Sequence, residues 1–229
     1  MANPNIEKWN SDELRRYDQI KMLVYGDSGV GKTVFASTAP SPLFLDADKG
    51  MMSVQNVVDR IPIDNWSDLQ EAWTFIASGE HEYKTIVVDA LNELQRIVMD
   101  SVIDKFNVRR MYEDQPTMAD WGKALNDFTN MIRMFVSLPY NVIFIAHASP
   151  RVFEEDRVLP QLNGKQTANL LTRYMDIVGF MYVQASEVRI ARFLGFDLAN
   201  AITKDRSWKL PPVLPDPTWD KMQEILEAK

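Results

Sequence analysis

Cysteine is absent from this chain of 229 residues, and histidine occurs only twice, at His81 and His147. The first absence excludes disulfides and thiolate metal sites. The second leaves no zinc-type ligand set, because the two rings are far apart in sequence. A metal held by oxygen atoms stays open. No apolar run approaches the roughly 20 residues that a membrane-spanning helix needs, so no membrane partner is expected. Positive charge is in the minority: 25 Lys and Arg stand against 32 Asp and Glu, a formal net charge of −7. Nucleic-acid affinity comes mainly from neutralising phosphates, so any contact with DNA has to be local rather than a basic coat. The opening MANPNIEKWNSDELRRYDQ has no apolar stretch flanked by positive charge and does not read as a secretory leader, so a cytoplasmic location is expected.

What is present, 46% hydrophobic and 25% charged residues, suits a soluble globule with a single core. The pattern along the chain predicts an extension over residues 1–19 and a core over 20–229. Short apolar runs at 20–25, 43–45, 85–88 and 141–146 read as strands, and each of the last three is followed at once by a polar residue: Asp46, Asp89 and His147. Amphipathic stretches at 32–37, 65–77, 92–106 and from 117 to about 138 read as the intervening helices. This alternation predicts an α/β fold, a mostly parallel sheet covered by helices on both faces. Residues 149–167 read as a long mobile loop. Runs at 177–183 and 187–193 read as an antiparallel extension of the sheet, and Thr218 as the N-cap of a last helix.

The segment Gly26-Asp27-Ser28-Gly29-Val30-Gly31-Lys32-Thr33 matches G-x-x-x-x-G-K-[ST] and sits between a predicted strand and a predicted helix, the context that motif requires. Its glycines let backbone N–H groups converge on a phosphate, and the helix start adds a favourable dipole. Lys32 is expected to bridge the β- and γ-phosphates of a bound nucleotide, and Thr33 to place its hydroxyl on Mg²⁺. Asp89, at the end of a neighbouring strand, is expected to hold the same metal. Asp46, Asp48 and His147 stand at strand ends, where open α/β sheets place their ligands. A carboxylate within reach of water attacking the γ-phosphate suits Asp48, although Asp46 and Asp48 before Gly50 also fit a plain turn. A partly buried structural histidine is the other reading of His147.

In order, the cradle, Leu43–Asp48, Thr85–Leu91 and Ile143–His147 resemble the core of RecA-like P-loop ATPases, over about residues 20–206. In size and in Ala146-His147 the chain is similar to the phage group of core-only members, described as phage nucleotide-binding proteins and single-strand annealing recombinases. The resemblance implies ATP and Mg²⁺ as ligands, with Asp48 activating water in a place where RecA has glutamate. His147 would sense the γ-phosphate where RecA has glutamine. It puts two DNA loops at Arg109, Arg110 and Tyr112, and at Arg151, Phe153, Arg157 and Lys165, with single-stranded DNA as the partner. It also puts Lys204 and Arg206 where such assemblies present cations to a neighbouring subunit, in a ring or a filament. Acidic neighbours Glu113, Asp114, Glu154, Glu155 and Asp156 leave a solvated mixed-charge surface as the other reading of the loops.

The function so implied is ATP-dependent binding of single-stranded DNA, with annealing or strand exchange in phage recombination inside a bacterial host. A single-strand binding protein is a candidate further partner. The alternative is a non-recombinase ATPase or nucleotide-regulated scaffold acting on a protein, which the acidic balance suits. A small-molecule kinase is disfavoured, because no Arg-rich lid segment is evident.

Overall fold

The computed structural model describes residues 19–105, 116–150, 157–164, 166–185 and 190–228. Strand β1 (Lys21–Gly26) leads through the glycine-rich turn into α1 (Lys32–Ser37). Then come β2 (Pro42–Asp46), β3 (Asp59–Pro62), α2 (Trp66–Ser78), β4 (Thr85–Asp89), α3 (Leu91–Lys105), α4 (Met118–Val136) and β5 (Asn141–His147). The chain continues through α5 (Thr167–Tyr174), β6 (Ile177–Ala185), β7 (Ile190–Gly195), β8 (Lys204–Asp205), β9 (Val213–Pro215) and α6 (Trp219–Glu227). Among the described residues the strands make one sheet in the order β3-β2-β4-β5-β1-β6-β7-β9, with β8 paired to β6. The first six of these run parallel; β7, β8 and β9 pair antiparallel.

Strands buried on both faces need apolar side chains on both, and β1, β4 and β5 supply them: every residue of the three is buried except His147. The sheet therefore separates two cores. On one face α2, α3, α4 and α5 pack over Leu23, Leu45, Val88 and Phe144; on the other α1 and α6 pack over Val24, Phe44, Val87 and Ile145. Helix starts are written into the sequence. Asn65 and Asp68 form a reciprocal capping box on α2, Thr117 and Asp120 another on α4, and Thr218 caps α6 as its residue type predicts.

Three expectations are corrected. β6 is parallel to β1, with Met22 beside Ile177 and Gly26 beside Met181, so the antiparallel extension begins only at β7. β3 and α5 were not visible in the periodicity. The described part of the expected mobile loop is pinned: Leu159 accepts a backbone bond from Ser149 at 2.8 Å, Gln161 donates to His147 O at 2.8 Å, and Val158 donates to Asn200 O at 2.9 Å.

Helix α6 clamps α1 from outside the sheet. Trp219 is fully buried, its ring lies 6.4 Å from that of Phe35, its indole N–H donates to Gln223, and its backbone N–H donates to Thr38 Oγ1 at 2.8 Å. Trp219→Ala is expected to lower unfolding free energy by about 3–5 kcal/mol, the range for deleting a large buried aromatic. Urea unfolding measures it, and a loss under about 1 kcal/mol would show that α6 does not hold α1 in place.

Candidate functional site

Two strain-tolerant positions shape the turn after β1. Gly29 has φ 79° and Gly31 φ 108°, conformations that side chains with a Cβ rarely adopt. Gly26 is fixed for another reason: a Cβ there would lie 2.2 Å from the carbonyl oxygen of Met181 on β6. Helix α1 starts at Gly31 with no side-chain cap, unlike α2, α4 and α6. Its first N–H groups are therefore left to an external anion, which is what a phosphate site requires. Lys32 is 6% exposed, and its Nζ donates to Gly26 O at 3.0 Å and Asp27 O at 2.8 Å, holding the ammonium over the turn. Burial pushes its pKa down, against Asp89, Asp48 and Asp27, which push it up.

The strand order explains how distant residues meet here. Because β5 lies between β1 and β4, the cradle, His147 and Asp89 come out side by side at one end of the sheet. Thr33 Oγ1 donates to Asp89 Oδ2 at 2.7 Å. Asp89 is 3% exposed, and its carboxyl is pushed up to about 6, first by burial and then by Asp48 and Asp46, with the Thr33 bond and Lys32 opposing. A hydroxyl beside a buried carboxylate, ringed by further acids and one lysine, is an all-oxygen donor set with surplus negative charge. That set fits a magnesium ion, and the cradle fits a polyphosphate.

Asp48 follows β2, and its carboxylate Oδ2 lies 3.6 Å from His147 Nε2, both side chains about a third exposed. The loop that carries it is tied to β4, since the N–H groups of Ala47 and Asp48 both donate to Asp89 O, at 2.6 and 3.1 Å. Asp46 is fully buried; Arg60 on β3 meets its Oδ2, while its Oδ1 has no hydrogen-bond partner among the described residues. A cavity of about 570 Å³ opens between these groups, lined by Ser28, Gly31, Lys32, Thr33, Asp48, Asp89 and His147, and by Arg192 of β7 on the opposite wall. That is the size range of small-ligand sites.

The structure thus gathers the cradle residues, Asp48, Asp89 and His147 in one place, and adds three that the sequence reading passed over. Asn92, at the second position of α3, accepts from His147 N at 2.9 Å and donates to Gln161 O. Arg60 neutralises Asp46, and Arg192 faces Gly31. No local pattern marks any of the three; the sheet order brings them in. Lys204 and Arg206 sit elsewhere. β8 pairs with the start of β6, level with Met22 and Leu23, at the end of the sheet away from the cradle. There Lys204 Nζ donates to Thr172 O and Met175 O at 2.9 and 2.6 Å, and Arg206 meets Asp176 Oδ1 at 3.1 Å and Arg173 O at 2.9 Å. Burial beside Arg206 pushes Lys204 down. Of the DNA-loop candidates Arg157 is exposed; Arg109, Arg110, Tyr112, Arg151, Phe153 and Lys165 lie outside the described residues. No described helix is long and apolar enough to cross a membrane.

Known proteins are similar to this chain in fold or in sequence to different depths. The ATPase domain of G40P superposes with a TM-score of 0.50 at 12% identity, covering 86% of this chain and 80% of that one. A KaiC-like protein, PH0186 from Pyrococcus horikoshii OT3, gives 0.45 at 12% identity, covering 77% and 78%. In sequence, the SPbeta prophage-derived uncharacterized protein YorG of Bacillus subtilis (strain 168) is 25% identical over 191 residues, which cover 82% of this chain and 55% of that protein. The chain spans about half the length of that curated relative. The family described as AAA domain matches residues 18–207, a span that starts just before β1, takes in every acidic strand end and closes after β8. With a mostly parallel sheet of RecA-like P-loop NTPase type beneath that match, the chain belongs to the AAA domain family.

Proposed function

We propose that this protein is a magnesium-dependent ATPase that binds single-stranded DNA and promotes annealing or strand exchange in phage recombination. Lys32 and the N–H groups of residues 29–33 bind the triphosphate, and Thr33 and Asp89 hold the metal, which when bound neutralises charge developing on the transferred phosphoryl group. Asp48 orients water and accepts its proton. His147 donates to the γ-phosphate from the side facing Asp48.

The observation that carries the coupling is the double bracket on His147. Its side chain is turned to Asp48, its N–H is held by Asn92, and its carbonyl accepts from Gln161, while Asn92 also reaches Gln161 O. A shift of His147 toward phosphate would therefore pull on Gln161 and the described segment that carries Arg157, a residue of the proposed DNA surface. An order–disorder switch needs such differential contact between two states. The prophage origin in the name of the Bacillus subtilis relative supports the phage setting. Self-association into a ring or filament belongs to the same proposal. A role across a subunit interface for Lys204 and Arg206 requires both to leave the carbonyls at the end of α5, which they cap here. The net charge of −7 favours a second reading, a nucleotide-regulated ATPase with a protein partner.

Phosphate release measured with and without single-stranded DNA separates the two. Stimulation at least severalfold at low salt, lost on raising salt and abolished in Lys32→Ala, is expected. No DNA binding at low salt, where electrostatic affinity is greatest, rejects the recombination reading.

A further inference from the structure

Among the described residues, Arg192 and Lys32 are the Lys and Arg side chains that line the cavity, and Arg192 comes from the other wall. β7 lies two strands beyond β1 on the side away from β5, so Arg192 approaches the cradle from opposite Asp48 and His147. A Cβ built on Gly31 would stand 3.0 Å from its Nε and 3.1 Å from its Cδ, which lays the guanidinium stem across the first turn of α1. Arg60, Arg96, Arg133 and Arg206 each have a carboxylate or hydroxyl partner; the guanidinium of Arg192 has none among the described residues, and it is exposed to the cavity. The strand beneath it is held in place. Arg192 stands in register with Val183 of β6, and its carbonyl accepts from Asp216 N at 2.8 Å.

Because Gly31 and Lys32 are where the proposed site would cradle the middle phosphate, and because Thr33, Asp89, Asp48 and His147 line the far side, a cation over Gly31 would meet the phosphates that stay with the nucleoside. We propose that Arg192 is a binding residue of the same subunit that grips the two phosphates shared by ATP and ADP, as a planar donor fork suited to phosphate oxygens. It also explains Gly31 a second way: any side chain there would collide with the arginine stem as well as take a strained φ.

This rests on the reading of the cradle as a nucleotide site, and the test keeps the two apart. The readout is equilibrium binding by calorimetry of the full chain with Mg²⁺, using ADP, a nonhydrolysable ATP analogue and inorganic pyrophosphate as probes. Arg192→Ala is expected to weaken all three by about 10- to 100-fold, the worth of a charge-assisted phosphate contact. Arg192→Lys should recover part of the loss and Arg192→Gln less. Weakening for the ATP analogue alone would put the arginine on the γ-phosphate, and weakening for ADP but not pyrophosphate would put it on the base or ribose; either overturns the assignment. Unchanged binding of all three by Arg192→Ala overturns it too while the nucleotide site stands. Failure of the unaltered protein to bind any probe removes both.

Discussion

Asp89→Asn is expected to stabilise the nucleotide-free protein at pH 7.5 while removing its magnesium-dependent uptake of nucleotide. The Asp89 carboxyl is 3% exposed and titrates near 6 rather than at its ordinary 3.8. A raised pKa in an acid means that the folded state holds the proton more tightly than the unfolded chain does. The stability this lends is complete below about 3.8 and is lost as pH rises through about 6. Above that the folded protein carries a buried charge that costs about 3 kcal/mol. Asparagine has nearly the same shape and no charge to desolvate, so urea unfolding without Mg²⁺ should show the variant ahead by up to about that amount at pH 7.5 and level with the unaltered protein at pH 4. On the proposed reading, the carboxylate is costly in the free protein because it is kept for a cation. Calorimetry should accordingly show binding of Mg²⁺ and nucleotide weakening in the unaltered protein as pH falls below about 6. In the variant it should be weaker by about 100-fold or more at pH 7.5, with the gap closing as pH falls through about 6, since the proposed ligand exchanges a charged carboxylate for a neutral amide oxygen. A variant that is less stable at pH 7.5 and binds normally would mean that Asp89 is a structural acid.

Asp89, Thr33 and the cradle were legible because their spacing along the chain and their place after apolar strands are local facts, and β1, β4 and β5 were legible because strands buried on both faces have to be apolar throughout. β3 escaped notice because it is an edge strand: three of Asp59, Arg60, Ile61 and Pro62 are exposed, so no apolar period exists to be read. α5 has eight residues, too few for its stripe of Ala168 and Leu171 to stand out. The partner of β6 is not legible in the sequence for a different reason. A run of apolar residues says that a strand is buried, not which strand it lies beside, and the parallel pairing with β1 needs the crossover through α5 that was missed. Arg192 and Arg60 reach the site through sheet order alone, and Asn92, three residues after Asp89, meets His147 because β5 lies beside β4. Chemistry distributed along the chain could be read from residue types; chemistry assembled by topology could not.

Asp48→Asn is the substitution for which position and charge come apart. Asp48 stands on a loop whose backbone is fastened to Asp89 O by two N–H bonds, and those bonds do not involve its side chain. Replacement by asparagine should therefore leave the loop and the proposed metal ligands Thr33 and Asp89 in place, and nucleotide affinity within about threefold of the unaltered protein. Its carboxylate is a third exposed and 3.6 Å from His147 Nε2, open to water on one side and to the proposed γ-phosphate site on the other. An amide in that place still orients water but accepts no proton, so turnover should fall by about 10²- to 10⁴-fold, the usual worth of a positioned general base. Phosphate release at saturating ATP measures the loss, and calorimetry with a nonhydrolysable analogue measures what is retained. Turnover within a few-fold of the unaltered protein would remove Asp48 from the base role. Loss of affinity equal to the loss of turnover would make it a ground-state ligand instead, since only an interaction stronger in the transition state than with bound substrate lowers turnover while sparing binding.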